Sequence, residues 1–116
     1  SRRGNNNRYC RSLLNRFGNL ESAFRALENC NTVNELAAIM GRDRYHKVNA
    51  ESFLRHGTVE FRQHAGTVEF KKINSWIRIC GALIIKSKSD LVNSLSQVLP
   101  ENLQTYVAER KRKLAA

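Results

Sequence analysis

The pentapeptide Gly-Thr-Val-Glu-Phe occurs twice in close succession, at 57–61 and 66–70, and the two copies continue differently. The residues after each copy limit the fold more than the repetition does. The first runs on as Arg-Gln-His, so residues 57–63 alternate: Val59 and Phe61 on one side, Thr58, Glu60, Arg62 and His64 on the other. The second runs into Lys-Lys-Ile and a stripe of Ile73, Trp76, Ile77, Cys80, Leu83 and Ile84 at steps of three and four. One copy is therefore expected to be a strand and the other the start of a helix. Thr67 is placed as its N-cap, with Glu69 in the first turn, where negative charge is favoured. No longer self-similarity surrounds the two copies, so they do not mark duplicated domains.

The rest of the chain reads mostly as helix. After a polar lead, SRRGNNN, the residues Tyr9, Leu13, Phe17, Leu20, Phe24 and Leu27 recur at helical spacing, as one helix or as two broken near Gly18-Asn19. Asn19 or Asn31 can cap a helix start. Val33, Leu36, Ala37 and Met40 predict a further short helix that Gly41 ends. Residues 44–49 read as extended, and Ala50–Leu54 as a turn of helix or a crossover. Two more helices are expected, at about 88–98 and 101–114 by apolar spacing, the second starting at Pro100. The expected fold is α+β: one domain, 1–116, with a short antiparallel sheet of two or three strands packed with about five helices.

Charge is the strongest compositional signal. Twenty Lys and Arg against ten Asp and Glu leave a formal net charge of +10. Such an excess suits an anionic partner, nucleic acid or an acidic protein surface, and also suits a merely solvated surface. Both ends are basic. Arg110, Lys111, Arg112 and Lys113 close a basic C-terminal helix, 101–116, as candidate nucleic-acid contacts, or as a helix end that complements its own dipole. Three cysteines, Cys10, Cys30 and Cys80, lack any short spacing; they argue against a disulfide framework and for a reducing, cytoplasmic setting. No signal peptide is visible, and the longest apolar run, CGALII, is too short to span a membrane. The chain opens Ser-Arg-Arg-Gly without Met, as a tag scar, a processed product or a fragment would.

The candidate chemistry lies on the polar face of the first copy. Thr58, Glu60, Arg62 and His64 stand about 7 Å apart along one side of a strand. On a solvated face they amount to an ordinary Glu–Arg pair worth little. As a site, the carboxylate can bind a divalent cation and the guanidinium can hold a phosphate or carboxylate in its fork. His64 can orient a group or transfer a proton. Other motifs are weak. The cysteines with His46, His56 and His64 show no CxxC or HxxxH spacing for zinc, and GRDR at 41–44 lacks the spacing of a phosphate loop. Cys80 and Trp76 read as core residues.

The run GRDRYHKVNAESFLRHGTVEFRQHAGTVEFKKINSWIRI resembles the distal half of the amidoligase family, and Asn-Arg-Tyr-Cys at 7–10 extends the likeness over roughly residues 7–86. That family is similar to glutamine synthetase and glutamate–cysteine ligase, which join a carboxylate to an amine with ATP and magnesium. The resemblance implies that Glu60 is a metal ligand and that Arg62 contacts substrate or phosphate. It makes Arg62 and His64 the catalytic candidates, and Arg62 and Asn49 the cofactor-binding ones. The chain departs from the family in one respect: family members carry an acidic pair on an early strand. Before Glu60 this chain has only Glu21, Glu28, Glu35, Asp43 and Glu51, and none forms a Glu-x-Glu strand pair. The expected function is therefore part of a carboxylate–amine ligase, or a derivative of one, that is not catalytic alone and needs an N-terminal half from the same or another chain. The alternative is a small basic module that binds nucleic acid or a nucleic-acid-handling protein, for instance as an inhibitor.

Overall fold

The structure is a computed structural model that describes residues 7–115. The chain divides between Ala65 and Gly66 into two compact units. The architecture is α+β: six α-helices, one 3-10 turn and one two-stranded antiparallel sheet among the described residues.

In the first unit, α1 (Leu14–Phe17) ends where Gly18 takes a left-handed conformation at φ 80°, and its N–H closes on the Leu14 carbonyl. Helix α2 (Leu20–Glu28) then starts at Asn19, whose side chain accepts from the Ser22 N–H. The break at Gly18-Asn19 is thus the one the sequence marks. Helix α3 (Val33–Ile39) starts one residue later than Asn31 suggested. Thr32 is the N-cap, and Glu35 closes a capping box by reaching back to the backbone N–H of Thr32 and Asn31.

The extended segments pair only briefly. Strand β1 (Val48–Asn49) lies antiparallel to β2 (Glu60–Phe61), with Val48 opposite Phe61 and Asn49 opposite Glu60. The Arg62 N–H to Lys47 carbonyl bond at 2.8 Å extends the ladder by one rung. Helix α4 (Glu51–His56) joins the strands and ends at Gly57, φ 68°. Because Ala50, next to Asn49, already turns helical as the N-cap of α4, the ladder stops short of Val59, which is exposed although it shares a side of the strand with the half-buried Phe61. Upstream, Arg11 and His46 form a parallel bridge, and Tyr9 meets Tyr45 edge to face with ring centroids 5.6 Å apart. Two Arg-Tyr dipeptides, 8–9 and 44–45, are thereby brought side by side, each arginine over the ring of its own tyrosine.

In the second unit, α5 (Phe70–Ser87) starts later than expected: Glu69 is the N-cap residue, and the Thr67 hydroxyl accepts from the Glu69 N–H instead of capping. The buried face of α5 coincides with the anticipated stripe only at Leu83 and, in part, at Trp76 and Cys80. Ile79 packs with Leu99 and Leu103, flanked by Ala82, Leu83, Val98, Tyr106 and Val107. Ile73, Ile77 and Ile84 are exposed, and Trp76 is only half-buried. The helix is apolar on two faces, and periodicity cannot tell which one finds a partner. The helix expected at 88–98 is absent. Side-chain hydroxyls of Ser87 and Ser89 bond back to the carbonyls of Leu83, Ile84 and Lys86. Such local bonds compete with helix propagation. Only the 3-10 turn Leu95–Gln97 forms there, closed by a Ser94–Gln97 capping box. Helix α6 (Glu101–Ala115) follows Pro100, whose carbonyl accepts the first helical bonds.

Candidate functional site

The side chain of Asn49 is fixed first, by the chain turning from β1 into α4. It is 4% exposed, its Oδ1 accepts from the Ser52 N–H, and the Ser52 hydroxyl spans from the Asn49 carbonyl to that of Thr58. This leaves the Asn49 amide free to donate across the strand pair. It donates to Glu60 Oε2 at 2.9 Å, while Arg62 Nη1 donates to Glu60 Oε1 at 2.9 Å. The register makes the first contact, since Asn49 and Glu60 are direct cross-strand neighbours. Alternation makes the second, since residues two apart share a face.

Both oxygens of Glu60 are therefore engaged. The Asn49 amide, above all, holds the Glu60 carboxyl below its ordinary range, helped by the Arg62 hydrogen bond and charge and by the charge of Arg44; partial burial opposes them. Glu60 is a stable anion at neutral pH, which a metal ligand needs. Asp43, Glu51 and His56 line one cleft with it, but among the described residues no three His, Cys, Asp or Glu side chains gather as a metal site. Magnesium demands six oxygens in near-octahedral array. These residues by themselves do not fit it, and no step is derived through it.

Around Glu60 opens a cleft of about 370 Å³, whose walls include Arg44, Tyr45, Asn49, Ser52 and Arg55. Of the residues singled out from sequence, Glu60, Asn49 and Arg62 are brought together; Arg62 braces the carboxylate. His64 is half-buried, its Nδ1 lies 2.7 Å from the Ala65 carbonyl, and it is not part of the cleft wall. Arg44 and Arg55 were not singled out. The density of arginine in GRDRYH, immediately before the extended Lys-Val-Asn, is the signal that could have found Arg44.

One wall of the cleft has an unusual backbone. Gly41 and Arg42 are both left-handed, at φ 81° and 54°, and Arg42 is the one non-glycine residue so placed among those described. Its N–H bonds the Ala37 carbonyl and its guanidinium bonds Asn34. The double turn delivers Asp43, which accepts from Arg11 Nη2 and from the Tyr45 N–H, each at 2.7 Å. Burial pushes the Asp43 carboxyl up, but the Tyr45 N–H and the Arg11 hydrogen bond and charge outweigh it and hold it below its ordinary value. His46, 4% exposed, lies 3.4 Å from the same carboxylate. Burial pushes its imidazole down; Asp43 pulls it up, and the charges of Arg11 and Arg16 push it down again, for a net lowering.

In the second unit, the candidate nucleic-acid residues lie on the last turns of α6, with Lys111, Arg112 and Lys113 exposed and Arg110 half-buried. Glu69 pairs with Lys72, and that bond, with the charges of Lys72, Arg110 and Lys113, holds its carboxyl below the ordinary range. The N-terminal turn of α5 and the C-terminal turns of α6 thus share one basic end. No helix is long and apolar enough to cross a membrane among the described residues.

Residues 1–84 match the model of a family described as "Putative amidoligase enzyme". No curated protein and no solved structure matches the chain.

Proposed function

Since the chain belongs to the amidoligase family, we propose that its Glu60 cleft is the substrate-holding part of an ATP-dependent carboxylate–amine ligase. The observation that carries this reading is Glu60 clamped between Asn49 and Arg62 and lining a cleft that Arg44 and Arg55 also line. ATP with magnesium would supply the activated acyl phosphate of such a ligation. This chain's own residues do narrower work. Arg44 and Arg55 present guanidinium donors to the anionic groups of the substrates. Asn49 and Arg62 keep Glu60 ionised and aimed, as a carboxylate that a cation could share with further ligands. His64, beside the Ala65 carbonyl, positions the segment that leaves β2.

Turnover then needs further acidic ligands from outside these residues, on the same or another polypeptide. Three free cysteines suit a reducing, cytoplasmic setting. The purified chain given ATP and magnesium should hydrolyse none. It should bind an ATP analogue weakly, with little gain from magnesium, and Arg44→Gln with Arg55→Gln should abolish that binding. Turnover lost in Glu60→Ala would show that the chain is a complete catalyst. Binding indifferent to both arginines would remove the ligase reading from this cleft.

A second reading rests on the basic end of the second unit, which lies partly beyond the family match: α6 and the neighbouring lysines of α5 would contact the phosphates of a nucleic acid, or else an acidic protein surface.

A further inference from the structure

We propose that the first unit carries a second binding cleft, on the other side of Asp43, that takes a small monocarboxylate through Arg16. The cleft has a volume of about 270 Å³ and is walled by Arg11, Asn15, Arg16, Gly41, Asp43 and His46. It shares only Asp43 with the Glu60 cleft, and the proposal does not rest on the ligase reading.

Charge selects the ligand. Arg11 is offset by Asp43 through the 2.7 Å ion pair. His46 has its imidazole pKa lowered, which keeps it neutral at neutral pH. Arg16 has no acidic partner among the described residues, and its charge is felt by His46. One positive charge from Arg11, one negative from Asp43 and one positive from Arg16 leave a single net positive charge. A monoanion neutralises it, whereas a phosphate dianion would leave one negative charge uncompensated beside Asp43. A planar carboxylate also matches the two-pronged guanidinium. The volume lies below the range of about 300–1,000 Å³ usual for drug-sized ligands, so the acid has few heavy atoms.

The Arg16 guanidinium lies against the backbone of Gly41. Gly41 is left-handed at φ 81°, and a Cβ built on it would stand 2.6 Å from Arg16 Nη1. A side chain there would push the guanidinium aside, and the left-handed backbone itself favours glycine. The opposite wall is rigid: the Arg11 N–H bonds the Tyr45 carbonyl at 2.7 Å and the Lys47 N–H bonds the Arg11 carbonyl at 2.8 Å. Arg16 itself is exposed, on the short helix α1, so its removal leaves the core untouched.

The test is a nuclear magnetic resonance titration of the isotope-labelled full chain with acetate, with chloride and inorganic phosphate as controls at matched ionic strength. Acetate should produce saturable shifts in the Arg16 Nε–H and the His46 ring, chloride none, and phosphate weaker ones. Arg16→Gln should abolish the acetate response with an unchanged melting curve, and Arg16→Lys, which keeps the charge but loses the fork, should weaken it several-fold. Linear shifts, equal shifts with chloride, or a response that survives Arg16→Gln would overturn the site. Phosphate binding as tight as acetate would overturn its assignment to a monocarboxylate.

Discussion

Replacing Asn49 by alanine tests the reasoning about the Glu60 clamp more directly than any assay of activity. Two hydrogen bonds are lost. The bond from the amide to Glu60 Oε2, at 2.9 Å, has a charged acceptor, and such bonds contribute about 1.5–3 kcal/mol when desolvated. Glu60 is 47% exposed on its side chain, so water can replace the amide there and the lower end applies. The bond from the Ser52 N–H to Asn49 Oδ1 is long, at 3.4 Å, and adds little. The expected loss is about 1–2 kcal/mol at neutral pH, read as a lower urea midpoint by circular dichroism. Its pH dependence follows from the lowered carboxyl. A group whose folded-state pKa lies below its unfolded value contributes stability that is present above the unfolded value and lost as pH falls through the folded one. Asn49 is the foremost cause of that lowering. The gap between wild type and Asn49→Ala should therefore be full at neutral pH and narrow as acid protonates Glu60 in both proteins. A gap under about 0.5 kcal/mol at neutral pH, or one that widens in acid, would refute the clamp.

Ile79→Ala should cost about 2–4 kcal/mol by urea unfolding, because Ile79 is buried between Leu99 and Leu103; a cost below about 1 kcal/mol would place the core of the second unit elsewhere. If residues 1–116 fold as one domain, Trp76 fluorescence and the amide resonances of Ala23 and Ala37 should be lost at one urea concentration; two midpoints would make the two units separate domains. If the basic end of α6 contacts duplex DNA, log K should fall against log salt by about 0.9 per neutralised phosphate. Changing Arg110, Lys111, Arg112 and Lys113 to Gln should flatten that slope, and no binding at low salt would exclude nucleic acid.

The helices of the first unit were legible because their ends are punctuated by residues with a local mechanism: Gly18 and Gly41 turning left-handed, Asn19 capping. The pairing of Glu60 with Arg62 was legible because alternation along a strand is strictly two-residue. Its third member was not derivable from periodicity. Asn49 meets Glu60 only through the register of two short strands across α4, and it was the family resemblance that drew attention to it. Arg16 and Gly41 are further apart still, and no spacing rule links them. In the second unit the error had another cause: Ile73, Ile77 and Ile84 repeat as regularly as Ile79 and Ala82, and tertiary packing alone chose between them.

The face of α5 that packing did not choose sets how the molecules treat one another in solution. Phe70 is 79% and Ile77 64% exposed, on a polypeptide that carries +10. In dilute buffer mutual repulsion reaches about 10 Å or more from each surface and keeps such greasy patches apart; at about 1 M salt it reaches about 3 Å. Sulfate also strengthens apolar contact by its exclusion from protein surfaces. Colloidal stability therefore declines as ionic strength rises, and ammonium sulfate should bring copies together along α5 before it disturbs the fold of either one.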